Sequence, residues 1–452
     1  MPESTHPFVR HPHRTFFGLT TPLLVSLIAE PLTGLADTIF VARLGAAPLA
    51  GLGVGAAVLS SLFWVFNFLG VGTQTEVARS EGAGDRSRAS LINAQALLLS
   101  GIFGVLLCAL GLLLIDPIVR AMGATGDLLA PAKDYMAIRL FGAPAVLATV
   151  AAFGTLRGLL DMRAPLAVAV AVNVLNIALD PVLIFGFGPV PPMGVAGAAT
   201  ASVVSQWLGA IAATVVCIRR LGLPSRLRLG ELRAFMHIGW NLFLRTASLN
   251  LFFLLTTRAA TEAGANEGAA HQAIRQAWAL TAMFLDAFAI AGQSLVGYFI
   301  GAGDLPQCRR VAKIVCQWSF LGGCILAALM TLGSATAAAA LLPLGAHPIF
   351  YPAWRIAAFT QPMNALTFGT DGIHWGTSDF KYLRNAVIVA GAAGVLALQW
   401  IDPTAPFALT SIWQVIAIWI AIRAAFGVLR IWPGVGSAPL AKPPNTADRR
   451  RS

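Results

Sequence analysis

The sequence predicts an all-α polytopic membrane protein, with twelve transmembrane helices in two six-helix, pseudo-symmetric lobes. Three observations lead there. Of its 452 residues, 57% are hydrophobic and only 11% charged, with a mean hydropathy of +0.74, whereas a soluble chain carries roughly a quarter charged residues. Twelve segments stay apolar over the roughly 20 residues that a helix needs to cross a bilayer. The second half of the chain also repeats signatures of the first at a nearly constant offset.

In chain order the segments cover 16–42, 49–78, 90–115, 131–158, 164–187, 195–219, 233–261, 268–300, 311–340, 349–376, 382–401 and 406–430. Charged or Gly/Pro-rich breaks separate them: GAGDRSR at 82–88, GATGD at 123–127, PVPPMG at 189–194, RRLGLPSRLR at 219–228, GAGDLP at 301–306 and the Asp402-Pro403 turn. Residues 1–15 are read as a cytoplasmic N-terminal segment, 16–219 as the first lobe and 220–232 as a cytoplasmic linker; 233–430 is the second lobe and 431–452 a disordered cytoplasmic tail. No cleavage site follows the first span, which is therefore retained rather than a signal peptide.

The net charge of +11 is not gathered on one domain, so it does not indicate nucleic acid. With the N-terminus in the cytoplasm, the inner loops hold Arg10, Arg14, Arg79, Arg86, Arg88, Arg157, Arg163, Arg219, Arg220 and the basic tail, while the outer loops offer little beyond Arg43, Arg120 and Lys133. That bias places both termini in the cytoplasm, and the expected location is the inner (plasma) membrane.

Three pairs of matching stretches carry the repeat. QTEVARSEGAGD at 74–85 matches QSLVGYFIGAGD at 293–304, an offset of 219, and Leu44-Gly45-Ala46 falls on Ala263-Gly264-Ala265 at the same offset. Gly158-x-x-Asp161-Met-Arg falls on Gly376-x-x-Asp379-Phe-Lys at an offset of 218. An even number of spans per repeat leaves both halves in one orientation, so their pseudo-two-fold runs along the membrane normal.

Polar residues inside the spans mark where function sits, because a charge in mid-membrane is costly. The fifth span, APLAVAVAVNVLNIALDPVLIFGF at 164–187, carries Asn173, Asn176 and Asp180 on one helical face. The first span holds Glu30-Pro31, where a proline break makes a hinge and frees a carbonyl, and then Asp37. Asp37 and Asp180 belong to the same half, so a shared pocket is open to them; two facing carboxylates do not readily both ionise in a low dielectric, and such a pair takes up a proton or binds a small cation. A plain helix-pinning role for the Asn/Asp face stands beside this reading. The second half offers a different cluster, Arg245, Asp286, Asp371 and His374, with His271 and Arg275 nearby; internal salt bridging is the structural alternative, and Asp371 and His374, three apart, are a second proton-sensitive pair. The second half has no Asn-x-x-Asn-x-x-x-Asp run in its eleventh span.

No hydrolase, phosphate-binding or dinucleotide motif occurs, so an enzyme is not expected. GVAGAA at 194–199 reads as close helix packing. The five cysteines suggest neither a disulfide framework nor a zinc site.

Five strings together resemble one family: EPLTGLADTIFVARLG at 30–45, RGLLDMRAPL at 157–166, NVLNIALDPVLIFG at 173–186, LRTASLN at 244–250 and FLDAFAIAGQSLVG at 284–297. They are similar to the multidrug and toxic compound extrusion (MATE) transporters, within the branch of DNA-damage-inducible protein F. The resemblance implies a V-shaped arrangement of the lobes, alternating access, and export of cationic or amphipathic organic compounds in exchange for protons or sodium, without a cofactor. It places the coupling site on Asp37, Asn176 and Asp180, with Asn173 one turn along and a sixth-span hydroxyl at Thr200. The asparagine such sites carry late in the fourth span is not evident at 153–156, which favours protons; sodium at Asp37, Asn176 and Asp180 stays open. So does a flippase of the wider superfamily, for which Arg245 and Arg275 supply positive charge. The expected partners are small organic substrates and membrane lipids, not nucleic acid, and the expected unit is a monomer.

Overall fold

The computed structural model describes residues 6–123, 125–224 and 232–441, without the side chains of Glu30 and residues 232–234. It is helical almost throughout: α1 (Pro7–Arg10), α2 (Pro12–Ala42), α3 (Ala46–Val65), α4 (Phe68–Gly82), α5 (Arg86–Leu113), α6 (Ile115–Ala121), α7 (Leu129–Leu140), α8 (Ala143–Gly158), α9 (Arg163–Phe185), α10 (Val195–Leu221), α11 (Leu232–Ala263), α12 (Ala265–Gly301), α13 (Leu305–Leu332), α14 (Ser334–Leu341), α15 (His347–Phe359), α16 (Gln361–Gly376), α17 (Phe380–Leu398) and α18 (Ala408–Ile431). Among the described residues ten helices are long and apolar enough to cross a membrane, and the pair Gly126–Leu140 and Ala143–Gly158, bent by 50°, makes an eleventh. The remaining expected segment, the tenth at 349–376, is helical as α15 and α16 but breaks at Thr360. It also carries Arg355, Asp371 and His374, which dilute its hydropathy.

The chain divides into two compact units, Thr21–Gly239 and Met1–Thr20 with Trp240–Ser452. These borders differ from the expected 16–219 and 233–430, and packing explains why. The start of the chain belongs with the second unit: Phe8 is fully buried, Phe16 stacks on Phe288 with centroids 5.9 Å apart, and Arg310 donates to the Val9 carbonyl at 3.1 Å. At the other border, Gly239 lies against the Phe68 ring, and Gly72 against Phe235 and Ile238, so the first turns of α11 stay with the first unit. The expected tail is described in part. Residues 432–441 form turns whose Val435 and Ser437 carbonyls accept from Arg430 (2.7 and 3.1 Å) and whose Leu440 carbonyl accepts from Arg309 (2.9 Å); residues 442–452 lie outside the described ones.

The repeat read from the sequence is visible in the backbone. Gly45 and Gly264 precede α3 and α12 with φ of 116° and 151°, a region that only glycine enters freely. Asp85 and Asp304 cap α5 and α13, their carboxylates accepting from the Arg88 and Gln307 N–H groups at 2.9 and 3.1 Å. A Cβ at Gly158 would stand 2.8 Å from the Gln74 carbonyl oxygen, and one at Gly376 2.7 Å from that of Gln293. Each glycine thus lets its helix touch the backbone of the matching partner helix. Leaving those glycines, Leu160 and Ser378 both take left-handed φ values, 61° and 59°. The aspartates that follow pair with an arginine in or near the last helix of their unit: Asp161 with Arg220 (3.0 Å) and Asp379 with Arg430 (2.7 Å). Lipid is as apolar as leucine, so association of such helices draws on this close packing rather than on burial from water.

Candidate functional site

In the first unit α2, α7, α9 and α10 bring one polar group together. Asp37 on α2 and Asp180 on α9 are 7% and 0% exposed, and their carboxyl groups lie within hydrogen-bonding reach of each other. Asn176 precedes Asp180 by one helical turn; with its amide oriented so that both ends find partners, the nitrogen donates to Asp37 Oδ1 at 3.0 Å and the oxygen accepts from the Ser202 backbone N–H at 3.1 Å. The Ser202 hydroxyl also reaches Asp37. Among the described residues, neither oxygen of Asp180 receives a hydrogen bond from an N–H or O–H. Two carboxylates that only accept cannot bond to each other, so their approach is satisfied when one proton lies between them, or when a cation does.

The wall of the site comes from α7. Tyr135, 3% exposed, is within hydrogen-bonding reach of Arg139, which acts electrostatically on Asp37 and donates to Gln206 Oε1 of α10 at 2.8 Å. A positive group one layer from two carboxylates moderates their repulsion without taking a proton itself.

Asp37, Asn176 and Asp180 are thus brought together as expected. Thr200 is not with them: its hydroxyl donates to the Ala196 carbonyl of its own helix at 2.8 Å, and Ser202 holds the position expected of it. Asn173 is half-buried a turn away, and among the described residues no hydrogen bond joins it to the group. The Glu30 side chain lies outside the described residues, and α2 runs without a break through Pro31, the expected hinge, and also through Pro22.

The expected second-unit cluster is rearranged. Asp371 on α16 accepts through Oδ2 from Arg245 of α11 and, at 2.9 Å, from Arg423 of α18. His374 turns away from Asp371: its Nε2 lies 3.1 Å from the Gly427 carbonyl and its Nδ1 4.0 Å from Asp379. Asp286 lies half-buried on α12.

Tyr135, Arg139, Ser202 and Arg423 were missed in the sequence. The legible signal was a charge inside an apolar segment, present at both Arg139 and Arg423.

Comparison with known proteins identifies the family. The MatE family model matches residues 22–182 and 242–397. The chain is 30% identical to Protein DETOXIFICATION 44, chloroplastic, of Arabidopsis thaliana, over 93% of this chain and 84% of the relative. It is 27% identical to DNA damage-inducible protein F of Escherichia coli (strain K12), over 94% and 93%. The crystal structure of MATE in the bent conformation shares the fold, with a TM-score of 0.84 at 23% identity over 94% of this chain and 97% of that one. The chain therefore belongs to the MatE family of multidrug and toxic compound extrusion transporters, multi-pass membrane proteins and not enzymes.

Proposed function

We propose that the protein is a proton-driven antiporter that exports small organic compounds, amphipathic or cationic, by alternating access across the plasma membrane, with both termini in the cytoplasm. The observation that carries this is the Asp180 carboxyl, fully buried, without a donor of its own and facing Asp37. With one proton the pair is a hydrogen-bonded carboxyl–carboxylate. Without it, two negative charges repel in a low dielectric, and the helices that carry them, α2 and α9, are driven apart. Proton binding at the pair is thereby linked to helix position, and a substrate that prefers one position exchanges for the proton.

Sodium is the second reading. It rests on the Asn176 amide beside Asp37, whose oxygen, in the opposite amide orientation, would face an ion held by the carboxylates. The test is export from inverted vesicles under a pH gradient with sodium equal on both sides, then under a sodium gradient with pH equal. Drive by the first alone supports proton coupling; drive by the second alone overturns it.

A further inference from the structure

The second unit carries a buried charge imbalance that the coupling chemistry does not use. Arg245, Arg423 and Asp371 are 8%, 7% and 5% exposed, and both arginines converge on one carboxylate oxygen, Asp371 Oδ2. Each guanidinium has five N–H donors, yet among the described residues Asp371 Oδ2 is the one acceptor that either reaches, and the Nε of both is left without one. The two planes are fixed by stacking, Arg245 5.2 Å from the Trp375 ring centroid and Arg423 4.6 Å from that of Trp419. The neighbouring ion pair, Arg430 with Asp379, is already balanced one to one. The cluster therefore holds one net positive charge within membrane-spanning helices, together with a surplus of oriented donors.

One arginine neutralises Asp371; the second ties α18 to the same carboxylate but adds desolvation without a counter-charge. Stacked guanidiniums with free donors are suited to a planar anion, which they hold by paired, charge-assisted hydrogen bonds. We propose that Arg245 and Arg423 bind a carboxylate (or phosphate) group of the transported compound, with Asp371 holding both guanidiniums in place. This rests on the reading of the chain as an exporter of small organic compounds and assigns that cargo an anionic group, so that the first unit handles the proton and the second the substrate's negative charge.

The test uses the full chain in nanodiscs of uncharged phosphatidylcholine and two probes that differ by one charge, dansyl-glycine and dansyl-glycinamide, read by dansyl fluorescence. The wild type is expected to bind the carboxylate at least about tenfold more tightly than the amide. Arg423→Gln leaves Arg245 and Asp371 as a neutral pair and should abolish that ratio without weakening the amide; Arg423→Lys should keep part of it. Equal binding of the two probes by the wild type, which requires no variant to fold, overturns the proposal. So does a parallel loss of both probes in Arg423→Gln, or a ratio unchanged by it. If added phosphatidylglycerol displaces the carboxylate probe, the anion held is a lipid headgroup and the assignment to cargo is wrong. Asp37→Asn should leave the ratio intact, so failure of proton coupling and failure of this site are told apart.

Discussion

The two units are built alike and charged oppositely. Both begin a long helix after a glycine of positive φ, cap the next with an aspartate, and pack one helix on another through a glycine at Gly158 or Gly376. Yet the polar interior of the first is two carboxyls with one arginine at their edge, and that of the second is two arginines on one carboxylate. Duplication supplied the scaffold, and local side chains supplied the chemistry. Backbone features recur because each meets a steric demand of close helix packing, which both copies share. The membrane-embedded charges recur in neither position nor sign.

The largest effect should come from breaking the acidic side of this comparison. Asp37→Asn and Asp180→Asn should each lower pH-driven export by about 100-fold or more in inverted vesicles, by the loss of a coupling group that no neighbour replaces. Asp371→Asn should not abolish proton drive; wild-type rates in both first-unit variants would remove the asymmetry. The next effect concerns the shared scaffold. Gly158→Ala and Gly376→Ala each push a methyl into a backbone carbonyl, 2.8 and 2.7 Å away, and should cost about 1–3 kcal/mol alike; thermal unfolding in detergent measures both, and a large effect in one unit only would contradict a true repeat. A smaller effect separates two hydroxyls. Ser202→Ala removes a donor to Asp37 and should slow export by up to about tenfold, whereas Thr200→Ala, which loses a bond to its own helix, should leave export unchanged in the same assay. The smallest has the opposite sign: Ser378→Gly relieves a left-handed residue (φ 59°) and should stabilise by roughly 0.5–1 kcal/mol in the same unfolding assay.

Much of this was legible in the sequence, and the misses have physical causes. Spans and repeat were readable because hydropathy and glycine-aspartate punctuation are local. Asn176 and Asp180 were readable because a spacing of four puts them on one helical face wherever the helix lies. Thr200 was mistaken for Ser202 because the turn at 186–194 sets where α10 begins, and residues two apart on a helix point about 200° apart. Asn173 shares the same nominal face, but it lies two turns from Asp180 and the group is only one turn tall. Which arginine meets Asp371 was not legible at all: Arg423 lies 52 residues further along the chain and Arg245 126 residues before it, and tertiary packing alone brings them to one oxygen. The unit borders moved because residues such as Phe8 and Phe16 find their burial far along the chain.

The central claim is that the proton is carried by the Asp37–Asp180 pair in the first unit and not by the second-unit cluster. It is tested most directly in proteoliposomes with a pH-sensitive dye inside, sodium equal on both sides and substrate added outside. The account predicts substrate-dependent proton flux in the wild type and in Asp371→Asn, and none in Asp180→Asn. Proton flux that persists in Asp180→Asn, or that vanishes in Asp371→Asn while that variant remains folded, would contradict it.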